Sequence, residues 1–142
     1  MMKIAICDDE PFMVKEISAH LSRYMKEKHI DSYCINHFLD GSSLLESRHN
    51  FDLIFLDIQM APPDGMKIAR ELRQRGNHSL LIFITVLKEW VFDAFEVEAY
   101  DYLLKPLDGN HFSRTMDRVI KFWERRTGKN IIIQRGTSCE IV

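Results

Sequence analysis

The 142-residue sequence is poor in the residues that mark specialised proteins: 3 Cys, 4 Pro, 6 Gly and 2 Trp. Three cysteines, Cys7, Cys34 and Cys139, cannot all pair with one another. A disulfide framework is therefore excluded, and a chain of this length buries enough surface to do without one. The scarcity of Pro and Gly excludes collagen-like and low-complexity chains. An excess of one charge is also lacking: 19 basic residues face 21 acidic ones, for a net charge of −2. That excludes the strongly basic footprint of a dedicated nucleic-acid binder. No apolar run approaches the roughly 18 residues of a membrane span. The apolar opening is too short for a secretory signal and runs into Asp8, Asp9 and Glu10. The expectation is a cytoplasmic protein without a membrane role.

Two chemical signatures are missing as well. Neither G-x-G-x-x-G nor G-x-x-x-x-G-K-[ST] occurs, so there is no glycine cradle for a nucleotide phosphate. Cys34 and His37 have no second Cys/His pair near them, so they are assigned to packing rather than to a soft metal.

What is present is an alternation of short apolar runs and amphipathic segments. Residues 3–7 read as a strand, and Pro11 suits the first turn of a helix over about 11–28. A strand over 32–38 is followed by the turn at Asp40 and Gly41 and a short helix over 44–47. A strand over 51–56 ends at Asp57, and Asp64 caps a helix that stops near Gly76. A strand over 80–84 ends at Thr85, and an aromatic-rich helix is expected over 88–95. A strand over 100–104 ends at Lys105, and Asp108 caps a last helix carrying Phe112, Met116, Val119, Ile120 and Trp123 on one face. Wholly apolar strands alternating with amphipathic helices predict an α/β fold: a (βα)5 doubly wound parallel sheet covered on both faces.

Such sheets bind ligands beyond the carboxyl ends of their strands. At those ends stand Asp8 and Asp9, then Asp57, Thr85 and Lys105. Asp after a strand is commonly a turn or cap residue; five chemical groups on one rim point further. Hard carboxylate oxygens suit a hard divalent cation such as Mg²⁺ or Mn²⁺. Three carboxylates, one lysine and one divalent cation sum to zero charge. Phosphorylating one Asp would add about one negative charge, which the metal, Lys105 and the Thr85 hydroxyl could accept.

These residues resemble the response-regulator receiver domain of two-component signalling, over about residues 2–124. Asp8-Asp9 resembles the family's acidic pair, and Asp57 its phosphoacceptor. Asp64-Gly65 follows at the family's spacing, Thr85 matches the switch hydroxyl, Tyr102 the switch aromatic, and Lys105-Pro106 the lysine–proline step. The resemblance implies strand order 2-1-3-4-5 and phosphoryl transfer to Asp57 from a sensor histidine kinase. It implies Mg²⁺ held by Asp9, Asp57 and the Gln59 carbonyl, with Asp8 acting through water. It also implies a cis Lys105–Pro106 bond, movement of Thr85 toward the phosphoryl group, and inward rotation of Tyr102. The receiver would not be an enzyme, though it would assist its own phosphorylation and dephosphorylation.

There are two departures from the family. The loop after Asp57 reads Met60-Ala61-Pro62-Pro63, with proline one position late. Glu98 stands where glycine is usual, so the helix before it is expected to lack its left-handed cap.

Trp90, Phe92 and Phe95 crowd one short segment and cannot all face one way. A partly exposed patch is expected there, with core packing as the alternative. The face of helix four, strand five and helix five is a common dimer surface in the family, so a homodimer of the phosphorylated form is expected. Residues 125–129 read as a connector. Residues 130–142 read as strand, turn and strand, similar to the start of a LytTR-type DNA-binding domain, which would contact DNA in place of the receiver. The alternatives are a stand-alone receiver or relay protein, and a Mg²⁺-dependent aspartyl phosphatase. The phosphatase would carry its nucleophile after the first strand as D-x-D-x-T, whereas Asp8-Asp9-Glu10-Pro11-Phe12 stands there.

Overall fold

The computed structural model describes residues 1–47 and 49–128. Its elements in chain order are β1 (Met2–Cys7), α1 (Pro11–Glu27), β2 (Tyr33–Phe38), α2 (Gly41–Glu46) and β3 (Leu53–Leu56). There follow α3 (Gly65–Gln74), β4 (Leu80–Thr85), α4 (Val91–Glu96), β5 (Asp101–Leu104) and α5 (Gly109–Thr127). All strand pairings are parallel, and the sheet order is β2-β1-β3-β4-β5. Both the α/β class and the order match the expectation.

The continuous apolar runs follow from this arrangement. Successive strand side chains point to opposite faces, and here both faces are covered. Ile4, Ile6, Leu53, Phe55, Ile82 and Ile84 pack with α1 and α5 on one side. Ala5, Cys7, Ile54, Leu56, Leu81 and Phe83 pack with α2, α3 and α4 on the other. Aspartates cap three helices: Asp40 accepts from Ser43 N–H, Asp64 from Lys67 N–H, and Asp108 from Asn110 and His111 N–H. No helix among the described residues is long and apolar enough to cross a membrane.

Two local expectations need revision. Helix α4 begins at Val91, not at 88. A helix starting at 88 would use the Leu87 carbonyl within its first turn, but that carbonyl accepts the Tyr102 hydroxyl, and Leu87 N–H donates to Thr85 Oγ1. Second, α4 does have a left-handed cap, and Glu98 itself supplies it at φ 53°. Glu98 N–H donates to Phe95 O and Ala99 N–H to Ala94 O, the paired bonds of a Schellman motif made without glycine. Helix α5 runs through Thr127, so residues 125–127 of the connector are helical, and Gly128 ends the helix at φ 70° with its N–H on Glu124 O. The strand–turn–strand reading of 130–142, and Cys139 with it, lies outside the described residues.

Candidate functional site

The strand order places the site. Strand β1 is paired with β2 on one side and β3 on the other, so the chain reverses its direction of winding at β1. Cys7 and Leu56 are register partners, and Asp57 N–H donates to Cys7 O at 3.0 Å. The residues that follow these two strands are therefore side by side. Carboxylate oxygens of Asp8, Asp9 and Asp57 lie within 4.8 Å of one another. Asp8 is fully buried and Asp57 is 3% exposed, while Asp9 faces solvent. Asp8 accepts from Glu10 N–H at 3.0 Å, Asp57 from Gln59 N–H at 3.1 Å, and Asp9 from Ala61 N–H at 3.3 Å.

Lys105 closes the cluster from the end of β5. Its Nζ lies 2.9 Å from Asp8 Oδ2 and 3.0 Å from Asp57 Oδ2. Glu10 Oε1 stands 3.6 Å away, on an exposed side chain. The Lys105–Pro106 peptide is cis, as is Pro62–Pro63 in the loop after Asp57. Burial pushes the Asp8 carboxyl up, against the pull of the Lys105 hydrogen bond, with Asp57 adding to the rise. Burial would lower the Lys105 ammonium, but the hydrogen bonds and charges of Asp8 and Asp57 outweigh it and hold it above the ordinary lysine value. The leading causes differ: burial raises Asp8, whereas the carboxylate partners raise Lys105. A deficit of two positive charges remains, in hard oxygen donors at metal-binding spacing. A divalent cation such as Mg²⁺ fits this donor set.

Thr85 is buried at the end of β4, and its Oγ1 accepts Leu87 N–H at 3.3 Å. Tyr102, half-buried against Phe83, donates its hydroxyl to Leu87 O. The switch candidates thus meet at the backbone of Leu87, on the loop that leads to α4. In α4, Phe92 is 81% and Phe95 75% exposed. Trp90 is instead half-buried and packs on the core beside α3. The expected patch is present, without its tryptophan.

Gly65, half of a spaced pair in the sequence, has a steric role. A Cβ there would sit 2.0 Å from the Asp57 carbonyl oxygen. The start of α3 therefore lies directly against the backbone of Asp57, and Gly65 N–H donates to Ile58 O. Arg73 went unnoticed in the sequence, where a basic residue near a helix end is commonplace. Its guanidinium donates to the carbonyls of Val97, Glu98, Asn77 and Ser79.

Residues 4–117 match the response regulator receiver domain family. Transcriptional regulatory protein YpdB of Escherichia coli K12 is 32% identical over 127 residues, which are 88% of this chain and 50% of that protein. Sensory transduction protein LytT of Bacillus cereus is 33% identical over 122 residues, 85% of this chain and 48% of that protein. The chain spans about half the length of these curated relatives. The crystal structure of the response regulatory domain of protein MrkE from Klebsiella pneumoniae superposes with a TM-score of 0.78 at 31% identity. That match covers 87% of this chain and 99% of the other. Receiver domains bind Mg²⁺ at an acidic pocket of the kind formed by Asp8, Asp9 and Asp57. With the sheet order, the acidic cluster and these relatives in agreement, the chain belongs to the response regulator receiver domain family.

Proposed function

We propose that this chain is a phosphorylation switch, with Asp57 accepting a phosphoryl group from the phosphohistidine of a sensor kinase. The observation that carries this reading is a nearly buried Asp57 carboxylate 3.0 Å from the Lys105 ammonium and beside two further carboxylates. In the transfer, an Asp57 carboxylate oxygen forms a bond to phosphorus as the phosphorus–nitrogen bond of the donor breaks. Asp9, Asp57 and the Gln59 carbonyl would hold Mg²⁺, with Asp8 acting through water, and the ion would supply charge neutralisation for the in-line displacement. Lys105 is placed to shift from carboxylate to phosphoryl oxygen. Thr85 would give up the Leu87 N–H and turn its hydroxyl to the same group. Tyr102, bonded to the other side of Leu87, would follow. The chain is in this reading a phosphoacceptor that assists its own phosphorylation and dephosphorylation, not an enzyme with a separate substrate.

The output belongs to the whole protein, by analogy with the transcriptional regulatory relative: a cytoplasmic regulator whose LytTR-type domain beyond the receiver contacts DNA. Phosphorylation would promote a homodimer through α4, β5 and α5. There Phe92, Phe95, Val91 and Leu104 are exposed beside a depression of about 170 Å³ lined by Val91, Ala94, Phe95 and Tyr102.

Acetyl phosphate with Mg²⁺, followed by intact mass, tests the chemistry. One Mg²⁺-dependent phosphate adduct is expected, absent in Asp57→Asn. An adduct that survives in that variant overturns the assignment, and steady turnover of a phosphate ester would favour a phosphatase. Sedimentation of the beryllofluoride-loaded protein tests the dimer. Phe92→Ala should weaken association by about tenfold, the scale of losing one interface anchor.

A further inference from the structure

Helix α4 is held in place by unusually little. It has six residues, an N-cap at Trp90 without a side-chain hydrogen bond, and Ala94 as its buried residue, with Val97 just beyond. Its aromatic residues Phe92 and Phe95 point outward. Its C-terminal cap is a strained one, with Glu98 in the left-handed region. Trp90, Ala94 and Val97 give the helix a small apolar footing on the core beside α3, and its side-chain polar attachments come from α3.

The two α3 attachments differ in kind. Arg73 Nε donates to Val97 O at 2.7 Å, and its Nη2 donates to Glu98 O at 3.3 Å. Its Nη1 simultaneously holds Asn77 O and Ser79 O at 3.0 and 2.8 Å. This half-buried cation ties the end of α4 to the α3–β4 connection through four backbone carbonyls. Losing it would strand several of them. Three residues earlier, Arg70 Nη2 meets Asp93 Oδ2 at 3.1 Å. That is a single ion pair at the surface, with both side chains more than a third open to water, and such pairs hold weakly. At its other end α4 is reached through Leu87, whose N–H and carbonyl are bonded to Thr85 and Tyr102.

We propose that Arg73 is the pivot about which α4 turns, and that the Arg70–Asp93 ion pair is the latch that opens when it does. The proposal rests on the reading of Asp57 as phosphoacceptor. In the latched arrangement Thr85 Oγ1 is occupied by Leu87 N–H. A Thr85 that turns to a phosphoryl group releases Leu87, and the first turn of α4 can then swing while its last turn stays on Arg73. The latch biases the population of two arrangements, so opening it should favour phosphorylation.

Amide hydrogen exchange on the unphosphorylated protein tests the mechanical half without any phosphate chemistry. In Arg70→Ala and in Asp93→Ala, the Ala94 amide, bonded to Trp90 O, should exchange about two- to fivefold faster. The Glu98 and Ala99 amides at the pivot should be unchanged. The exchanged pair, Arg70→Asp with Asp93→Arg, should restore the wild-type rate. Arg73→Gln should loosen all three amides, and a melting profile on the same samples separates this from global unfolding. Latch variants that exchange like wild type, or a charge exchange that does not rescue them, overturn the latch. Equal acceleration of all three amides in the latch variants overturns the pivot. Acetyl phosphate then tests the link. The latch variants should be phosphorylated faster by a similar factor, and an unchanged rate with a loosened α4 overturns the coupling. A wild-type chain that takes no phosphate overturns the Asp57 reading, while exchange still decides the latch.

Discussion

Gly65 is the residue whose side chain matters by not existing. The first turn of α3 runs against the Asp57 backbone, and an added methyl would meet the Asp57 carbonyl oxygen at 2.0 Å and its carbon at 2.7 Å. Backbone on both sides leaves no flexible group to yield. Gly65→Ala is expected to cost about 3 kcal/mol, the upper range for forcing extra volume into a packed site. It should also slow acetyl-phosphate labelling, because whatever relaxes is the segment carrying the acceptor. Urea midpoints and intact-mass time courses check the two effects separately. Cys7 is a contrasting neighbour. It lies beneath the same site, donates to Asp40 O at 3.5 Å, and burial with the surrounding carboxylates pushes its thiol up to about 12. At neutral pH it is a protonated packing group with no thiolate to offer.

At the scale of elements, α4 shows how local rules and tertiary demands compete. Glu98 by itself argues against a left-handed cap, since a residue with a Cβ disfavours that region by roughly 1–2 kcal/mol. The cap forms regardless, because Arg73 meets the Val97 and Glu98 carbonyls that this turn presents. If the turn is imposed in this way, Glu98→Gly should stabilise the domain by about 1 kcal/mol. A chemical-denaturation midpoint shifted upward at constant slope would bear this out. The late start of α4 has the same origin: the Leu87 carbonyl is bonded to Tyr102, a residue fifteen positions away.

At the scale of the whole molecule, β5 and α5 are joined by Asp101. Its carboxylate accepts from Thr115 Oγ1 and from Arg118 Nη2, each at 2.6 Å, and from Tyr102 N–H at 2.8 Å. Burial would raise this carboxyl, but those hydrogen bonds and the Arg118 charge prevail and hold it below the ordinary value. A lowered folded-state pKa contributes stability that is fully present above the unfolded value of about 3.9. It is lost as pH falls through the lower folded value. Stability measured from pH 5 downward should therefore decline below about pH 4, and Asp101→Asn should flatten that decline while costing stability at neutral pH. An equal acid slope in the variant would place the loss elsewhere.

The sequence by itself determined the element order, the covered parallel sheet and the rim on which Asp8, Asp9, Asp57, Thr85 and Lys105 stand. It could do so because apolar periodicity and Asp caps are local signals, and parallel strands put every carboxyl end on one edge. Angular spacing also shows that Trp90, Phe92 and Phe95 cannot all face one way, without saying which of them turns to the core. Tertiary structure decided what depends on neighbours distant in the chain. It placed Trp90 against the core, set the start and cap of α4, and closed Lys105 onto two carboxylates at once. It gave Gly65 its necessity and Arg73 its four carbonyls. The reason is physical: a backbone carbonyl, unlike a side chain, carries no mark in the sequence of which distant donor will claim it.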